Sequence, residues 1–510
     1  MLPRNLNEKL STEKFRTIRE IHDAFDKKLL SPVELTRDYL AAAQASETGA
    51  YLLLCEERAM EQAKAADQVL AREGKVPRDR LPLLGIPLGI KDNLTMDGVR
   101  TTCGSKMLEN YIPPYTATCV ERLEKAGAVS LGKLSMDEFA MGGSNENSAF
   151  GPVKHPTHPD RVPGGSSGGS ASAVGAGLCV GSLGSDTGGS IRLPASYCGV
   201  VGVKPTYGRI SRYGLVAFAS SLDQVGPLTR TVEDAALLMD VMSGFDPMDS
   251  TTVPMPATRS FQALQKPADL KGLRVGIPKE YFIGGLEPDV EKAIQTSLRW
   301  LESQGAKLVP ISLPHTQYAV AIYYIVAVSE ASSNLARFDG VRFGVRPKDI
   351  TEVKDLTGFY EAVRNGFGAE VKRRIILGTF ALSSGYAEAY YKRACQVRRQ
   401  TKQDFDLAFQ DVDVIVGPVS PTTAFKLGEK ASDPLRMYLN DIFTIPANLV
   451  GLPSMSVPCG VDSKGLPIGF HLMTPLFQED RMFSVGQAVF QGLGGGSGYG
   501  LAQGSNVGRL

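Results

Sequence analysis

Two serines, each set beside paired glycines, are the residues of this chain best suited to chemistry. Gly164-Gly165-Ser166-Ser167-Gly168-Gly169-Ser170 is followed by Asp186-Thr187-Gly188-Gly189-Ser190, which places Ser166 and Ser190 24 residues apart. Lys91 lies 99 residues before Ser190 and closes the apolar stretch Leu84-Gly85-Ile86-Pro87-Leu88-Gly89-Ile90. A serine hydroxyl becomes a nucleophile when a base takes its proton, and a lysine can be that base once burial has lowered its pKa. Paired glycines permit the tight turn that aims several backbone amides at one developing oxyanion. Together these are the parts of a hydrolytic site that needs no histidine.

Taken singly, each part has a plainer reading. The Gly/Ser run alone reads as a flexible loop, and Lys91 alone as a solvated surface lysine. Their combination shifts the balance. Other signals are weaker. Gly127 to Leu134 nearly matches a phosphate-binding loop but has Leu134 where a Ser or Thr must reach magnesium, so it reads as a helix-to-strand turn carrying Lys133. Gly175-Ala-Gly177-Leu-Cys-Val-Gly181 has one residue too many for a dinucleotide fingerprint. The five histidines, His22, His155, His158, His315 and His471, show no metal spacing and read as surface or core residues. No Gly-x-Ser-x-Gly elbow supports a Ser-His-Asp triad. No metal site is expected.

The bulk properties narrow the class. With 55 Lys and Arg against 54 Asp and Glu, the formal net charge of +1 offers no global attraction to nucleic acid or anionic membrane. The 43% apolar content suits a large core. Seven scattered cysteines (Cys55, Cys103, Cys119, Cys179, Cys198, Cys395, Cys459), none in a C-x-x-C pair, read as reduced thiols. The polar N-terminus lacks a signal-peptide core, and no uninterrupted apolar run predicts a membrane span. A cytoplasmic enzyme is expected, with an organelle matrix as the alternative.

These residues must be held by an α/β framework. Ser31-Pro32 predicts a helix start with the helix running to Ala45, and Glu56 to Glu73 has helical composition. Leu83 to Ile90 predicts a buried strand that delivers Lys91 at its end. A helix from Thr118 stopped at Gly127 precedes a strand at Ala128 to Leu131. Met141 to Gly189 is dense in Gly, Ser, Asn and Pro, with a short helix expected at Ser170 to Gly177 and a strand at Val180 to Leu183. Thr231 to Asp234 reads as a capping box for a helix to Met242. Strands are expected at Leu273 to Pro278, Lys307 to Val309, Val412 to Val416 and Ser454 to Val457. Helices are expected at Val290 to Gln304 and across most of Tyr318 to Gln410. The βαβ rhythm predicts one large domain over 1–491 with a central mixed sheet covered by helices on both faces. N-terminal helices over 10–75 would pack on a core at about 80–245, and a Gly-rich low-complexity tail would occupy 492–510.

Gly85 to Asn93, Gly164 to Ser170, Gly184 to Pro194 with Cys198 to Pro205, and Gly226 to Asp234 resemble the amidase signature family in order and spacing. The resemblance covers about residues 10–490. It implies that Ser190 is the nucleophile, Ser166 the proton relay on a cis peptide and Lys91 the ultimate base, with the amides around Thr187, Gly188, Gly189 and Ser190 holding the oxyanion. Outside the shared core, Met136 to Gly142, Thr206 to Arg209 through Gln224, Glu330 to Gly340, Lys372 to Ile375 through Tyr386, and Asn440 to Pro446 resemble the branch that serves tRNA-dependent amidotransfer.

That branch implies free glutamine as substrate, with Arg374 for its α-carboxylate, Asp441 for its α-ammonium, and Tyr324 and Thr444 lining the same pocket. Plainer readings remain for two of these. Arg374 could belong to a solvated run with Lys372 and Arg373, and Asp441 could cap a helix. The branch also implies no cofactor in this chain. ATP and magnesium would be used by a partner B subunit that binds misacylated tRNA, and a small C subunit would complete a heterotrimer. The ammonia released would convert Glu-tRNA(Gln) or Asp-tRNA(Asn) to the amidated product. Two departures stand out: Leu193 follows Arg192 where relatives carry glutamine, which would change a pocket wall, and the expected C-terminal helix ending in a Trp-His pair is absent, with a glycine-rich tail beyond Gln491. The rival readings are a stand-alone amidase acting on aliphatic, aryl or fatty amides, and an inactive scaffold protein of a larger complex.

Overall fold

Eleven strands share one sheet in the computed structural model, which describes residues 16–282, 284–346, 353–431 and 433–494. In chain order they are β1 (Tyr51–Leu54), β2 (Pro87–Lys91), β3 (Val129–Leu134), β4 (Gly181–Asp186), β5 (Val201–Lys204), β6 (Gln224–Thr229), β7 (Arg274–Pro278), β8 (Lys307–Ile311), β9 (Val414–Pro418), β10 (Ser454–Val461) and β11 (Pro467–Met473). Their spatial order is β1-β3-β2-β4-β6-β5-β10-β11-β9-β7-β8. The sheet is mixed. β3, β2 and β4 run parallel to one another, β4 to β9 across the centre pair antiparallel, and β9, β7 and β8 are parallel again.

Helices cover both faces, as strand parity shows. On β4, a Cβ on Gly181 would meet Leu238 of the helix Val232–Met242, whereas one on Gly184 would meet Ser167 and Ile191. Residues of opposite parity point to opposite faces. The helices Gly168–Gly175 and Arg192–Cys198, which start beside Ser167 and Ile191, therefore lie across the sheet from Val232–Met242. The expected fold class, a central mixed sheet with helices on both faces, agrees with this arrangement. Residues 1–15 and 495–510, and with them most of the Gly-rich tail, lie outside the described residues.

Local signals placed many elements well. Ser31 caps the helix Pro32–Ala45 in a full capping box with Glu34, and Glu56–Glu73 is helical and ends at Gly74 with φ of 75°. Thr231 accepts from the Asp234 amide at 3.1 Å and starts Val232–Met242. The strand expected from Leu83 begins only at Pro87, because Leu83 to Ile86 turn back onto Ala126 and Gly127 through hydrogen bonds. The short helix expected at Ser170 starts earlier, at Gly168. Lys133 lies inside β3 rather than in a turn, fully buried, 3.1 Å from Asp92 and donating to Leu94 O and Thr101 Oγ1. That burial leaves no room for a phosphate.

A second helical layer builds the far wall of the site. It comprises Ala319–Asn334, Leu356–Arg364, Ala369–Leu382 and Arg393–Asp411. The helical run Pro314–Arg337 is long and apolar enough to cross a membrane by composition, but half of its most apolar stretch is buried inside the fold. Ala319–Asn334 packs closely on Ala369–Leu382 because Gly378 has no side chain: a Cβ there would stand 1.9 Å from the Val328 carbonyl oxygen.

Gly378→Ala tests that contact. Alanine gains about 1 kcal/mol in helix propensity, but overpacking against an immobile carbonyl costs about 1–3 kcal/mol. The expected outcome is a net loss of stability, read as a lower midpoint in chemical denaturation. An unchanged or raised midpoint would show that the two helices can separate freely.

Candidate active site

Lys91 is the last residue of β2 and has no exposed surface. Its Nζ lies 2.8 Å from Ser166 Oγ, 2.8 Å from Ser167 Oγ, 3.0 Å from Ser185 Oγ and 3.2 Å from the Ser185 carbonyl. Burial pulls its pKa down from the ordinary lysine value to about 7; the charges of Asp137, Asp186 and Asp223 pull the other way without restoring it. None of those carboxylates touches the amine. A neutral amine has two protons to give and one lone pair. Ser167 Oγ spends its own proton on the Ser185 carbonyl at 3.1 Å, so it accepts from Lys91. Ser185 Oγ accepts from Asn93 Nδ2 at 2.9 Å, so Ser166 and Ser185 are the two contacting hydroxyls whose protons can face the lone pair, and of these Ser166 lies on the loop tied to Ser190.

Ser166 follows a cis peptide bond from Gly165. Asp137 braces this loop: its amide donates to Ser166 O at 3.3 Å, and its carboxylate accepts from the amides of Asn145 and Asn147 at 2.9 and 3.0 Å. The loops of the two serines are tied directly, since the Ser167 amide donates to Ser190 O at 3.1 Å. Ser190 is 8% exposed and sits on the turn between β4 and the helix Arg192–Cys198.

That turn carries amides without partners: among the described residues no hydrogen bond takes up the N–H groups of Gly188, Gly189 or Ser190. Gly189 has φ of +150°, and a Cβ there would strike Thr444 Oγ1 at 2.3 Å and Asp441 Oδ1 at 2.4 Å. The turn is pinned from below by Arg192, whose guanidinium donates to Asp186 at 3.0 and 3.1 Å, to Thr444 O at 3.0 Å and to Asn448. Burial raises the Asp186 pKa, but the charge and hydrogen bonds of Arg192 outweigh it and hold the carboxyl well below the usual range. Thr444 Oγ1 donates to Gly188 O at 2.7 Å.

Arg374, on the inner face of Ala369–Leu382, is 3% exposed, so it is no part of a solvated run. Its Nε donates to Glu370 Oε1 at 2.8 Å, and the guanidinium carbon stands 5.2, 5.5 and 5.6 Å from the ring centres of Tyr324, Tyr438 and Phe218. Tyr438 stacks on Tyr324 at 3.9 Å and donates to the same Glu370 oxygen at 2.8 Å. Among the described residues the two Nη groups of Arg374 have no hydrogen-bond partner, and Arg374, Glu370, Met437 and Tyr438 border a cavity of about 150 Å³. Asp441 ends a short turn, Leu439–Asp441, and its carboxyl lies against Gly189 and Gly143 instead of capping a helix. Burial, with the nearby charge of Asp186, raises its pKa to about 8. Among the described residues no group of three or more His, Cys, Asp or Glu is placed to hold a metal ion.

The family model described as Amidase matches residues 34–483. The chain belongs to the amidase signature family. The A subunit of glutamyl-tRNA(Gln) amidotransferase from Acidobacterium capsulatum is 57% identical over 448 residues, 88% of this chain and 92% of that protein. The protein of the same name from Desulfatibacillum aliphaticivorans is 53% identical over 474 residues, 92% of this chain and 96% of that one. The crystal structure of the same protein from Thermotoga maritima matches with a TM-score of 0.69 and 42% identity, covering 86% of this chain and 94% of that chain.

Every residue expected at the site of this amidase is brought to one region, and others join them. Tyr323, Glu370, Tyr438, Asp137 and Asp223 were not expected there. Tyr323, rather than its neighbour Tyr324, presses on the glycine turn before Ser190, since a Cβ on Gly188 would meet its ring at 2.7 Å. The paired tyrosines in an otherwise apolar helix were the available sequence signal. Leu193 does not form a wall of this site; it is buried with Val162, Tyr197, Ala424, Phe425 and Leu466. The C-terminal helix forms without a Trp-His ending and closes at Gly492.

Breaking the buried Arg192–Asp186 pair tests what pins the turn. Arg192→Met leaves Asp186 charged and short of its main partner, at a cost of about 3–5 kcal/mol. The expected result in chemical denaturation is a large loss for Arg192→Met and a smaller one for the double change with Asp186→Asn. Equal losses would contradict a charge-based clamp.

Proposed function

We infer that this chain is the amidase-type glutaminase subunit of a tRNA-dependent amidotransferase. The observation that carries the reading is a buried lysine of lowered pKa against Ser166, facing a wall that holds both Arg374 and Asp441. The first half suits amide hydrolysis and the second suits a free α-amino acid. The two Nη groups of Arg374 can take an α-carboxylate by a paired hydrogen bond, and Asp441 can take an α-ammonium.

In this reading Ser190 Oγ attacks the side-chain carbonyl carbon of glutamine. Its proton passes to Ser166, and the Ser166 proton to the Lys91 amine. Amides of Thr187, Gly188, Gly189 and Ser190 hold the oxyanion. The C–N bond then breaks, the proton returns to the leaving nitrogen, and ammonia departs from a γ-glutamyl ester on Ser190. Water attacks that ester through the same relay, releasing glutamate and restoring Ser190. Tyr324 and Thr444 line the pocket. The ammonia passes to a partner, a tRNA-binding B subunit that uses ATP and magnesium, with a small C subunit completing a heterotrimer in the cytoplasm. The relatives are named as one subunit of an amidotransferase, which supports a multi-subunit enzyme, and seven unpaired cysteines suit a reducing compartment.

A stand-alone amidase is disfavoured by the same wall, for a reason narrower than two bare charges. Glu370 already meets one edge of Arg374, and the raised pKa of Asp441 lets it be neutral when the pocket is empty. A neutral amide would still leave the Nη groups without an acceptor.

The deciding experiment measures glutamine-to-glutamate turnover by the purified chain, alone and with the B and C subunits, ATP and Glu-tRNA, with Ser190→Ala as control. Ser190-dependent turnover that rises with partners and charged tRNA is expected. Activity on simple amides alone, indifferent to partners, would make the chain a free-standing amidase. Loss of turnover in Ser190→Ala should be at least about 1,000-fold, as for other nucleophile removals.

The pH dependence follows from two groups. Lys91 must be neutral to accept a proton, so kcat/KM should fall as pH drops through about 7. Asp441, with a pKa near 8 when empty, must ionise to hold the ammonium, so glutamine binding below that pH should release a proton. Calorimetry in buffers of different ionisation enthalpy reads that release directly. Proton uptake, or none, would remove Asp441 from ammonium recognition.

A further inference from the structure

The amide-donating turn has a second anchor that the reaction as described does not use. Asp223 lies just before β6, and the β4–β6 register, which pairs Asp186 with Gln224, sets it opposite Thr187. Thr187 Oγ1 donates to Asp223 Oδ1 at 2.7 Å. The other carboxylate oxygen accepts from the amides of Phe218 at 2.8 Å and Ala219 at 3.0 Å, so the carboxylate cannot swing with the threonine. Both residues are almost wholly buried. The loop behind Asp223 is itself braced from the second helical layer. Asn334 donates to Phe218 O at 3.1 Å, Glu330 accepts from the Ser221 amide at 2.8 Å, and Arg398 donates to Ser221 O at 3.0 Å and to Leu449 O.

We propose that Asp223 is the positioning residue of the oxyanion turn: by holding the Thr187 hydroxyl it fixes the plane of the Thr187–Gly188 peptide and with it the donors that meet the developing charge. Arg192 holds Asp186, the residue before Thr187, and the Thr444 carbonyl, but makes no hydrogen bond to Thr187 itself. Gly188 and Gly189 have no side chains of their own to steady them, so an anchor at Thr187 is the nearest one upstream. Burial raises the Asp223 pKa to about 6, so above that pH its acceptor is ionised, which makes this hydrogen bond stronger than a neutral one. The Phe218 ring, at the other end of the Asp223 loop, stands over Arg374. The wall that takes the α-carboxylate and the turn that stabilises the transition state are therefore built on one braced loop. The inference rests on the Ser190 mechanism above, but it holds for any amide cleaved there.

The competing account is that Asp223 merely closes its own turn through Phe218 and Ala219. A double-mutant cycle in the full chain separates the two. Asp223→Asn, Thr187→Val and the double variant are compared for kcat and KM on glutamine and on a simple amide, with thermal unfolding recorded alongside. Each single change is expected to lower kcat about 10- to 100-fold, the scale of a misaimed oxyanion donor. KM should move by less than about threefold, and the double variant should be no worse than the worse single one. Losses that multiply in the double variant, a kcat within twofold of the parent, or a loss confined to KM would overturn the proposal. Should Asp223→Asn fail to fold, Thr187→Val alone decides, since it leaves the Asp223 turn intact: an unchanged kcat refutes the anchor. A parent protein that cleaves the simple amide but no glutamine would overturn the glutaminase reading while leaving the cycle readable. A parent with no Ser190-dependent turnover of either would overturn both.

Discussion

An amine without exposed surface and without a carboxylate in contact is the constraint from which the rest of this site follows. Removing an ammonium from water is costly unless it is paired or gives up its proton. Among the described residues three lysines have essentially no exposed surface, and the fold settles each differently. Lys133, on the neighbouring strand, lies against Asp92. Lys204, also lowered to about 7 by burial, is enclosed by the carbonyls of Pro205 and Leu452. Lys91 alone is surrounded by serine hydroxyls. Hydroxyls can accept from an ammonium or donate to an amine, so both protonation states are accommodated at similar cost. That is what a reversible proton store requires, and neither a carboxylate nor a pair of carbonyls would supply it.

The three carboxylates whose charges act on the amine, Asp137, Asp186 and Asp223, are each held out of contact with it by partners of their own. Asp186 ends β4 but points at Arg192 and Asn448. Asp137 is turned toward the amides of Asn145 and Asn147. Asp223 is turned toward Thr187, Phe218 and Ala219. Each carboxylate does positional work through hydrogen bonds and raises the lysine pKa from a distance, which keeps it near neutrality instead of far below. Moving any of them into contact with Lys91 would stabilise the ammonium and remove the base.

The sequence was legible where chemistry is local. The serine turns, the lysine at a strand end, the capped helices and the βαβ order all announce themselves within a few residues. What was missed has no local signature. β6 carries Gly226 and Pro227 in the middle of the sheet, where proline is normally excluded, because a Cβ at Gly226 would collide with Val203 O at 1.9 Å and the strand is selected by fit rather than by propensity. β1 and β5 are only four residues long. Glu370 and Tyr438, 68 residues apart, meet only through the packing of two helical segments. The Thr187–Asp223 contact depends on a strand register that no spacing reveals.

The pocket wall shows how selectivity can be built without leaving bare charges in an empty site. Arg374 is enclosed by three aromatic rings and shares Glu370 with Tyr438, which fixes the plane of the guanidinium and presents its Nη edge. A planar fork held in that way favours a planar carboxylate over a point charge or a carbonyl. Burial raises the Asp441 pKa to about 8, so below that pH the empty site need not bury a bare charge, and in the proposed reading that cost falls due only when an ammonium arrives to share it. A ligand carrying both groups satisfies both ends of the wall together. A ligand carrying one leaves either an unanswered guanidinium edge or a carboxyl that keeps its proton. Discrimination by charge then reaches the reaction through geometry, because Asp441 and Thr444 press on Gly189 and Tyr323 presses on Gly188. In the proposed mechanism, the amides that would hold the oxyanion are thus packed against the residues that would take the two charged groups of glutamine.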